Sequence, residues 1–429
     1  MTNRKILIIT YYWPPSGGVG VQRWLHYALE LQKLGWEPII YTPENPQFEI
    51  KDESQLEKAS GLRVIKTPIW EPFDFFHKLT GGKDRKNVQQ GLVMEKSRKS
   101  LKDKLIVWTR GNMLIPDPRR FWVKSSVKFL KQFIHKEGIR TVITTGPPHS
   151  MHLIGLALKK QLDINWLADF RDPWSHWDVL DKLKVTSLAR KEHRRLERAV
   201  LRTADRVLAV SAHLKEQLSE LGGEDRVELL YNGVSVPKAS EVKTPDGKLV
   251  IGYYGMLNEM RNPTELWPVL DEMAAHTELE LRLGGIVAES IANEINDLPN
   301  LKRVTHFLGY LAHDEVQREY AKCDVLLLLL NRTENARWIL PVKFFEYLAA
   351  SRNILALGPT ASDLAEIATD LRSFRMVNYH NVHGIRESLT FFKNNHLDFS
   401  QAGVLLDQFA HANLAVQLSA ILNSHNEGN

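Results

Sequence analysis

Short runs of apolar residues alternate along the first half of the chain with longer segments in which apolar side chains recur every three or four positions. The runs are brief and rich in isoleucine, leucine and valine, which is typical of strands buried on both faces of a parallel sheet. They predict strands at residues 5–10, 36–42, 62–67, 140–144, 165–169, 206–210 and 227–231. The segments between them have helical spacing, so this half is predicted to be a doubly wound α/β domain.

A second series of the same kind begins after residue 248. It predicts strands at residues 249–254, 279–283, 303–307, 324–330 and 353–357. Between the two series lies a polar stretch with two prolines and a glycine, which is typical of a linker. The predicted organisation is an N-terminal Rossmann-like domain over residues 1–235, a linker over 236–248, a C-terminal Rossmann-like domain over 249–404 and a helical segment over 405–429 that packs back on the N-terminal domain. Two doubly wound domains are expected to face each other across a cleft at the carboxyl ends of their strands.

Composition restricts the class of protein. Of the 429 residues, 43% are hydrophobic and 25% are charged, which is ordinary for a globular chain. The longest aliphatic run, residues 325–330, is far shorter than the roughly 20 residues of a membrane span, and the first residues lack the features of a signal peptide. The single cysteine, Cys323, excludes an internal disulfide and a multi-cysteine metal site. We therefore expect a cytoplasmic protein.

Basic residues are concentrated in one segment. The chain carries 56 Lys and Arg against 51 Asp and Glu, a net charge of +5, but residues 78–136 hold 16 against 4, a local charge of +12. Such a segment normally lies against phosphate groups of nucleic acid or of anionic lipid. No nucleic-acid recognition motif accompanies it, and Trp108 and Phe121 form no repeated stacking pattern. We therefore expect the segment Lys78 to Lys136 to contact an anionic membrane surface and expect no nucleic acid partner; a solvated basic face is the alternative.

The loops after the predicted strands of the first half carry candidate binding residues. Gly17 and Gly18 follow the first strand, where glycines let the backbone approach a phosphate or a sugar hydroxyl and the next helix begins; a tight turn without a ligand is the alternative. The loop is not G-x-G-x-x-G and no acidic residue ends the second strand, so a nicotinamide cofactor is not expected. His149 follows the strand at residues 140–144, where its imidazole can hydrogen-bond a reacting sugar or phosphate; polar surface is the alternative.

Asp169, Arg171 and Asp172 end the strand at residues 165–169. An arginine between two carboxylates is either an ion pair that holds the loop in place or part of a clamp for an acceptor. An aspartate beside a sugar hydroxyl can also act as a general base. From these residues alone, the structural ion pair is the favoured interpretation.

The segment at residues 340–350 carries a lysine and a glutamate near the predicted start of a helix. Pro341 suits the first turn of a helix, and Lys343 and Glu346 lie three positions apart, so they share one face. The carboxylate can accept two vicinal hydroxyls, as a ribose presents them, while the ammonium beside it can bind a diphosphate. A surface ion pair is the alternative, but Lys before Glu in the first turn is the order that the helix dipole disfavours.

The first loop of the second half, residues 252–263, adds a glycine and an arginine. Gly255 allows a close approach of the backbone to a ligand. The Arg261 guanidinium can bind phosphate oxygens in a fork. An ordinary strand-to-helix turn with an exposed arginine is the alternative.

Four motifs together resemble glycosyltransferase family 4 of the GT-B fold, particularly bacterial members that build surface polysaccharides. The motifs I-P-D-x-R-x-F-W, T-G-P-P-H-S, A-D-F-R-D-P-W and K-x-x-E-Y-L-A stand at residues 115–122, 145–150, 168–174 and 343–349. The likeness runs over nearly the whole chain. It implies a retaining transfer of a sugar from a nucleotide-diphosphate-sugar donor to a glycan or lipid-linked acceptor, with no metal ion and no other cofactor.

The resemblance also implies roles for individual residues. The donor is expected to contact Gly17, Gly18, Gly255, Arg261, Lys343 and Glu346. The acceptor is expected to contact Asp169, Arg171 and Asp172 in the N-terminal half, and the catalytic residues are expected to be Arg261, Lys343 and His149.

Two positions depart from the family pattern. Glu346 matches the second glutamate of the family's Glu-x7-Glu signature, but Trp338 stands at the first. In the family's diphosphate clamp, Met256 replaces the arginine and Arg261 takes the place of the lysine, so Lys343 would supply the second positive charge. These cations would neutralise the departing diphosphate as the glycosidic bond breaks. A relative that binds nucleotide sugars without transferring them is an alternative, and so is a nucleic-acid-binding protein that uses residues 78–136.

Overall fold

The computed structural model describes most of the chain. The described residues are 4–17, 19–46, 51–71, 101–176, 179–234, 247–311, 313–395 and 399–424. The chain divides into two compact units, Met1–Gly233 with His411–Asn429 (unit one) and Val234–Ala410 (unit two). Gly18, residues 78–100 of the basic segment and residues 236–246 of the predicted linker lie outside the described residues.

Within its described residues, unit one contains one parallel sheet with the strand order β3-β2-β1-β4-β5-β6-β7. The strands are β1 Lys5–Ile9, β2 Glu37–Pro43, β3 Arg63–Thr67, β4 Thr141–Gly146, β5 Asn165–Phe170, β6 Arg206–Ala209 and β7 Val227–Leu229. The first helices are α1 Val19–Lys33, α2 Ser54–Ala59, α3 Leu101–Asn112, α4 Arg120–Glu137, α5 Ser150–Lys159, α6 Val179–Lys182, α7 Ser187–Thr203 and α8 Ala212–Leu218. A π-helical turn, Ser219–Gly223, and a 3-10 turn, Glu224–Arg226, follow α8.

The first strand shows why its sequence is apolar without alternation. Ile6 and Ile8 pack into one core with Trp24 of α1, whereas Leu7 and Ile9 pack into a second core on the opposite face of the sheet. Successive side chains of a strand point to opposite faces. Both faces of this sheet are covered by helices, so every position of β1 from Ile6 to Ile9 is buried.

Unit two repeats this architecture with the strand order β10-β9-β8-β11-β12-β13. The strands are β8 Leu249–Tyr254, β9 Leu279–Gly284, β10 Thr305–Gly309, β11 Val325–Leu329, β12 Asn353–Leu357 and β13 Phe374–Val377. The helices are α9 Leu266–His276, α10 Glu289–Asn296, α11 Leu301–Val304, α12 His313–Tyr320, α13 Val342–Ala349, α14 Asp363–Ile367, α15 Val382–Asn394 and α16 Ser400–Phe409. Two 3-10 turns lie at Glu259–Arg261 and Glu334–Trp338. No helix in the described part of either unit has both the length and the apolar character that a bilayer crossing needs.

The sequence missed one strand of unit two. Every strand predicted from the apolar runs is present, with ends that differ by no more than two residues. The additional strand is β13, at the edge of the sheet, where Arg375 and Met376 are only half-buried. A short edge strand need not be apolar throughout, so it left no continuous run in the sequence.

The end of the chain also differs from the prediction. Residues 405–429 were expected to form one helical segment, but the structure has two helices there, α16 and then α17 His411–Asn423. Ala410 between them is extended, with φ −60° and ψ 136°, and pairs with Val234 in a parallel bridge. The helix α16 belongs to unit two, whereas α17 packs against α1 in unit one. A single extended residue is enough to end one helix and begin another. The break therefore needs no glycine or proline, and the sequence gives no signal for it.

Candidate active site

Lys343 lies at the carboxyl end of β8 in unit two. It is the second residue of α13. Pro341, directly before this helix, is extended, with ψ 134°. The Lys343 ammonium donates a hydrogen bond to the carbonyl oxygen of Tyr254, the last residue of β8, and lies 5.3 Å from the centre of the Tyr253 ring. The first turn of α13 therefore holds a cation at the edge of the sheet where ligands of doubly wound folds bind.

Because Gly255 has no side chain, the Lys343 ammonium can lie where a Cβ atom would otherwise be. The φ of Gly255 is +151°, a conformation that residues with a side chain rarely adopt, and a Cβ atom at this position would collide with the Lys343 ammonium. Its backbone N–H donates to the carbonyl oxygen of Gly284 at 2.8 Å. The predicted close approach at Gly255 therefore involves a lysine of the same unit.

The environment of Lys343 weakens its hold on the proton. Burial lowers the pKa of its ammonium, the positive charge of Arg261 lowers it further, and the carboxylate of Glu346 raises it, with a resulting value of about 8. Lys343 and Arg261 repel each other, and Lys343 is partly desolvated, so a nearby anion would stabilise both charges. This arrangement is suited to a negatively charged ligand.

Arg261 is held at the end of the neighbouring strand. It is the last residue of the 3-10 turn, and its Nε donates to the Asn331 Oδ1 atom at 2.7 Å. Asn331 follows β11, which pairs directly with β8. The carboxyl ends of two adjacent strands thus position Arg261 and Lys343, as the sequence predicted for residues that follow strands.

Glu346 follows Lys343 on α13. Both side chains are partly exposed, whereas Phe344, Phe345 and Tyr347 of the same helix are buried. The Glu346 Oε2 atom accepts a hydrogen bond from the hydroxyl of Tyr320 at 3.0 Å. The predicted face with a cation and a carboxylate is therefore present in unit two.

Asp169 in unit one has a structural role. Its carboxylate accepts hydrogen bonds from Arg23 (2.7 Å), the Trp24 indole (2.7 Å) and the Thr145 hydroxyl (2.8 Å), and the residue has no exposed surface. Although burial opposes ionisation, the Arg23 guanidinium and the hydrogen bonds hold the pKa of this carboxyl below its usual value. These contacts correct the assignment of Asp169 to acceptor binding, because a carboxylate without exposed surface cannot contact an acceptor.

Arg171 connects its own loop to the first turn of α1 and to the end of β4. Its guanidinium donates to the carbonyl oxygens of Gly20 (2.9 Å), Gly146 (3.3 Å) and Pro147. Asp169, one of the two carboxylates of the predicted ion pair, pairs with Arg23 instead, and Arg171 holds its loop through backbone carbonyls. Asp172 is half-buried, and its role in acceptor binding stays a prediction.

His149 is buried among aromatic rings. Its imidazole stacks on the Trp174 indole with 4.8 Å between ring centres and 3° between planes, and the Trp174 Nε1 atom donates to the Nδ1 atom of His193 at 3.0 Å. Burial holds the pKa of His149 well below its usual value. Burial also lowers the pKa of His193 to about 4. Both rings are therefore neutral near neutral pH, and the predicted catalytic role of His149 applies to a neutral imidazole.

The glycine loop of unit one lies directly before α1. Gly17 is partly exposed and Val19 is the first residue of the helix. The Gly20 carbonyl in the first turn accepts from Arg171. The contact of Gly17 and Gly18 with a donor stays a prediction.

A family model identifies what kind of protein carries these residues. The model of glycosyltransferase family 4 matches residues 16–237, just over half of the chain. The chain belongs to glycosyltransferase family 4. No curated protein sequence matches it.

Solved structures resemble this family 4 glycosyltransferase over almost its whole length. A glycosyltransferase from Rickettsia africae has a TM-score of 0.62 at 14% identity, with 99% of each chain covered. The lipopolysaccharide outer core galactosyltransferase WaaB has a TM-score of 0.64 at 14% identity, with 98% of this chain and 99% of that chain covered. HepE from Anabaena, in complex with UDP and glucose, has a TM-score of 0.60 at 12% identity, with 99% and 100% covered. These likenesses confirm the predicted GT-B fold class with its two doubly wound domains.

Sequence reasoning missed the contacts that join two of the motifs in this glycosyltransferase. The Asp117 carboxylate of the I-P-D-x-R motif accepts hydrogen bonds at 2.9 Å from the backbone N–H and the hydroxyl of Ser150, which ends T-G-P-P-H-S. Arg119, which is partly buried, forms an ion pair with the buried Glu71 at 2.9 Å, and the Tyr11 hydroxyl donates to the same carboxylate at 2.7 Å. The spacing within each motif gave no signal for these pairs, because the partners lie far apart in the sequence.

Proposed function

We propose that this glycosyltransferase moves a sugar from a nucleotide-diphosphate-sugar donor to a glycan or lipid-linked acceptor in surface polysaccharide synthesis, with retention at the anomeric carbon and without a metal ion. The observation that carries the proposal is the group of Arg261, Lys343 and Glu346 at the carboxyl ends of β8 and β11 and the start of α13. Two cations suit a diphosphate, and a carboxylate beside them suits the vicinal hydroxyls of a ribose.

The proposed mechanism stabilises the leaving group. As the glycosidic bond breaks, negative charge collects on the departing diphosphate while the sugar becomes oxocarbenium-like. Arg261 and Lys343 would neutralise that charge, together with the positive end of the α13 dipole. The acceptor hydroxyl would attack on the face that the leaving group vacates and give its proton to the departing diphosphate, so no enzyme nucleophile is required. The neutral His149 can donate and accept hydrogen bonds, which is the chemistry that a sugar hydroxyl needs.

Similar structures support the classes of donor and acceptor. HepE from Anabaena has been solved with UDP and with UDP-glucose. A variant of TarM from S. aureus has been solved with UDP and alpha-GlcNAc-glycerol, and WaaB is a lipopolysaccharide outer core galactosyltransferase. By this analogy we propose a nucleoside diphosphate carrier for the donor sugar and a surface glycan for the acceptor.

Replacement of Glu346 with alanine is expected to weaken nucleotide binding enough to remove the rise in melting temperature that the nucleotide causes. UDP, GDP and ADP are screened, and the one that raises the melting temperature of the native protein most is used. The Glu346→Ala variant loses the ribose contact, so we expect the shift to disappear. The matched control is Glu387→Ala, which removes an exposed carboxylate from α15 and should keep the full shift. A full shift in Glu346→Ala would contradict the ribose assignment.

We also propose that unit one contacts an anionic membrane surface. Trp70 is 60% exposed and Phe121 is 45% exposed, and their rings touch edge to face with 4.9 Å between centres. On α4, which begins at Arg120, the side chains of Lys124 and Lys128 are exposed as well. Exposed aromatic rings beside basic side chains are suited to the interface of an acidic bilayer. A lipid-linked acceptor would be found at such a surface.

Replacement of both Trp70 and Phe121 with serine is expected to weaken vesicle binding roughly tenfold, because the inserted apolar surface is lost. Co-sedimentation is measured with phosphatidylglycerol-containing vesicles and with neutral phosphatidylcholine vesicles. The control is Tyr310→Ser, which removes a ring that is 83% exposed in unit two. Equal binding of the native protein to both kinds of vesicle, or binding to neither, would remove the electrostatic proposal.

A further inference from the structure

The Glu346 carboxylate is held by a tyrosine from another helix. Tyr320 is the last residue of α12, is 3% exposed, and donates its hydroxyl proton to the Glu346 Oε2 atom at 3.0 Å. A carboxylate has about four acceptor positions on its two oxygens. The tyrosine uses one of them, which leaves the Oε1 atom and one position of Oε2 for other donors.

The Tyr320 ring is fixed by its neighbours. It packs edge to face against Tyr254 with 5.3 Å between centres and against Tyr347 with 5.0 Å. Its backbone carbonyl accepts hydrogen bonds from the Arg352 Nε atom at 3.2 Å and from the Cys323 N–H at 3.1 Å. These contacts restrain the Tyr320 hydroxyl. Its hydrogen bond in turn restrains the orientation of the Glu346 carboxylate.

The phenol keeps its proton over the whole working range of pH. Burial raises the pKa of Tyr320, and the negative charge of Glu346 raises it further. The hydrogen bond thus always runs from tyrosine to glutamate. Because the phenol stays neutral, it adds no negative charge beside Glu346. The carboxylate keeps its remaining acceptor positions for ligand hydroxyls.

We infer that Tyr320 is a positioning residue that presents the Glu346 carboxylate to the vicinal hydroxyls of a ribose and so determines selectivity for ribonucleotides over 2′-deoxyribonucleotides. This inference rests on the proposed function, because it takes the ribose of the donor as the ligand of Glu346. A ribose offers two hydroxyl donors to the oriented carboxylate, whereas a 2′-deoxyribose offers one. The benefit of a fixed carboxylate is therefore larger for the ribonucleotide.

A tyrosine that only fills the core would give a different result. Loss of its hydroxyl would then loosen unit two and weaken the binding of both nucleotides by the same factor. A positioning role instead changes the ratio of the two dissociation constants. That ratio is measured within one variant, so a general loss of stability cancels.

Tyr347 offers a matched control. It lies next to Glu346, contacts the Tyr320 ring, and is wholly buried. Among the described residues its hydroxyl has no hydrogen-bond partner. Tyr347→Phe therefore removes the same group from the same aromatic cluster without altering the orientation of Glu346.

The experiment compares the full-length native protein, Tyr320→Phe, Tyr347→Phe and Glu346→Ala. Dissociation constants are measured by calorimetry for the diphosphate that shifts the melting temperature most, chosen from UDP, GDP and ADP, and for its 2′-deoxy form. We expect Tyr320→Phe to reduce the preference for the ribonucleotide about tenfold, as for one hydrogen bond to a charged group, and Tyr347→Phe to leave it within about twofold. Melting temperatures without ligand confirm that each variant is folded.

The outcomes separate the inference from the proposed function. If Glu346→Ala loses the preference for the ribonucleotide but Tyr320→Phe keeps it, the positioning role is overturned. This holds whether or not Tyr320→Phe binds both nucleotides more weakly. A preference that survives in Glu346→Ala overturns the ribose assignment and with it the proposed function. Failure of all three diphosphates to bind the native protein overturns both.

Discussion

Replacement of Lys343 with methionine is expected to lower kcat/KM for sugar transfer roughly 100- to 1,000-fold, the usual loss when one group that stabilises transition-state charge is removed. The ammonium lies at the carboxyl end of β8 beside Arg261, where a departing diphosphate would gather charge. The side chain of methionine has a similar length but no charge, so the loss should appear in kcat and, through weaker binding of the diphosphate, in KM. The rate of donor hydrolysis without acceptor measures the same step.

Two control variants test this interpretation. Lys343→Arg keeps a cation and should retain much more activity than the methionine variant. Lys393→Met removes an exposed lysine from α15 and should leave the rate unchanged. Full activity in Lys343→Met would show that this lysine does not act on the leaving group.

The same lysine should make nucleotide binding depend on pH. Because the pKa of Lys343 is about 8 in the free protein, its ammonium loses its proton as the pH rises through that value. A diphosphate binds the protonated form, so the affinity should fall by up to about tenfold per pH unit above pH 8. The Lys343→Arg variant remains charged and should lack this decrease. Titration calorimetry at several pH values measures the difference between the two proteins.

Replacement of Asp169 with alanine is expected to destabilise unit one by about 3–5 kcal/mol, as is usual when one partner of a buried ion pair is removed. Arg23 and Asp169 are 2.7 Å apart, and their side chains are 1% and 0% exposed. The variant would leave the Arg23 guanidinium buried without its counter-charge. It would also remove the acceptor of the Trp24 indole and the Thr145 hydroxyl. Urea denaturation followed by tryptophan fluorescence measures the change in the free energy of unfolding.

An exposed ion pair of the same unit provides the comparison. Glu192 and Arg195 are 2.7 Å apart on α7, but their side chains are 40% and 64% exposed. Glu192→Ala should cost less than about 1 kcal/mol, because water screens the pair. If both variants unfolded at the same urea concentration, Asp169 would not be the structural centre that its contacts indicate.

The elements of the fold followed closely from local patterns. β1 was predicted because Ile6 to Ile9 are all apolar, and the structure buries them on two faces of one sheet. The face of α13 with Lys343 and Glu346 followed from a spacing of three residues, since that spacing depends only on the geometry of the helix. Periodicity of this kind is a property of neighbouring residues and can be read without knowing the rest of the fold.

Contacts between distant residues could not be obtained in this way. The closeness of Asp169 and Arg171 along the chain favours an ion pair between them, yet the partner of Asp169 is Arg23, 146 residues away. The break at Ala410 could not be predicted for the same reason. Ala410 pairs with Val234, which is distant along the chain. Neither partner is marked by a local pattern.

The sequence by itself determined the class of fold, the order of every strand but β13, and the chemical groups that follow the strands, because these depend on short-range periodicity and on residue type. Only the tertiary structure decided which of those groups are exposed to a ligand and which support the fold. It directs Asp169 and Arg171 toward internal partners, and it brings Tyr320 to Glu346 from another helix. The physical reason is that burial and hydrogen bonding of a polar group depend on the neighbours that folding supplies.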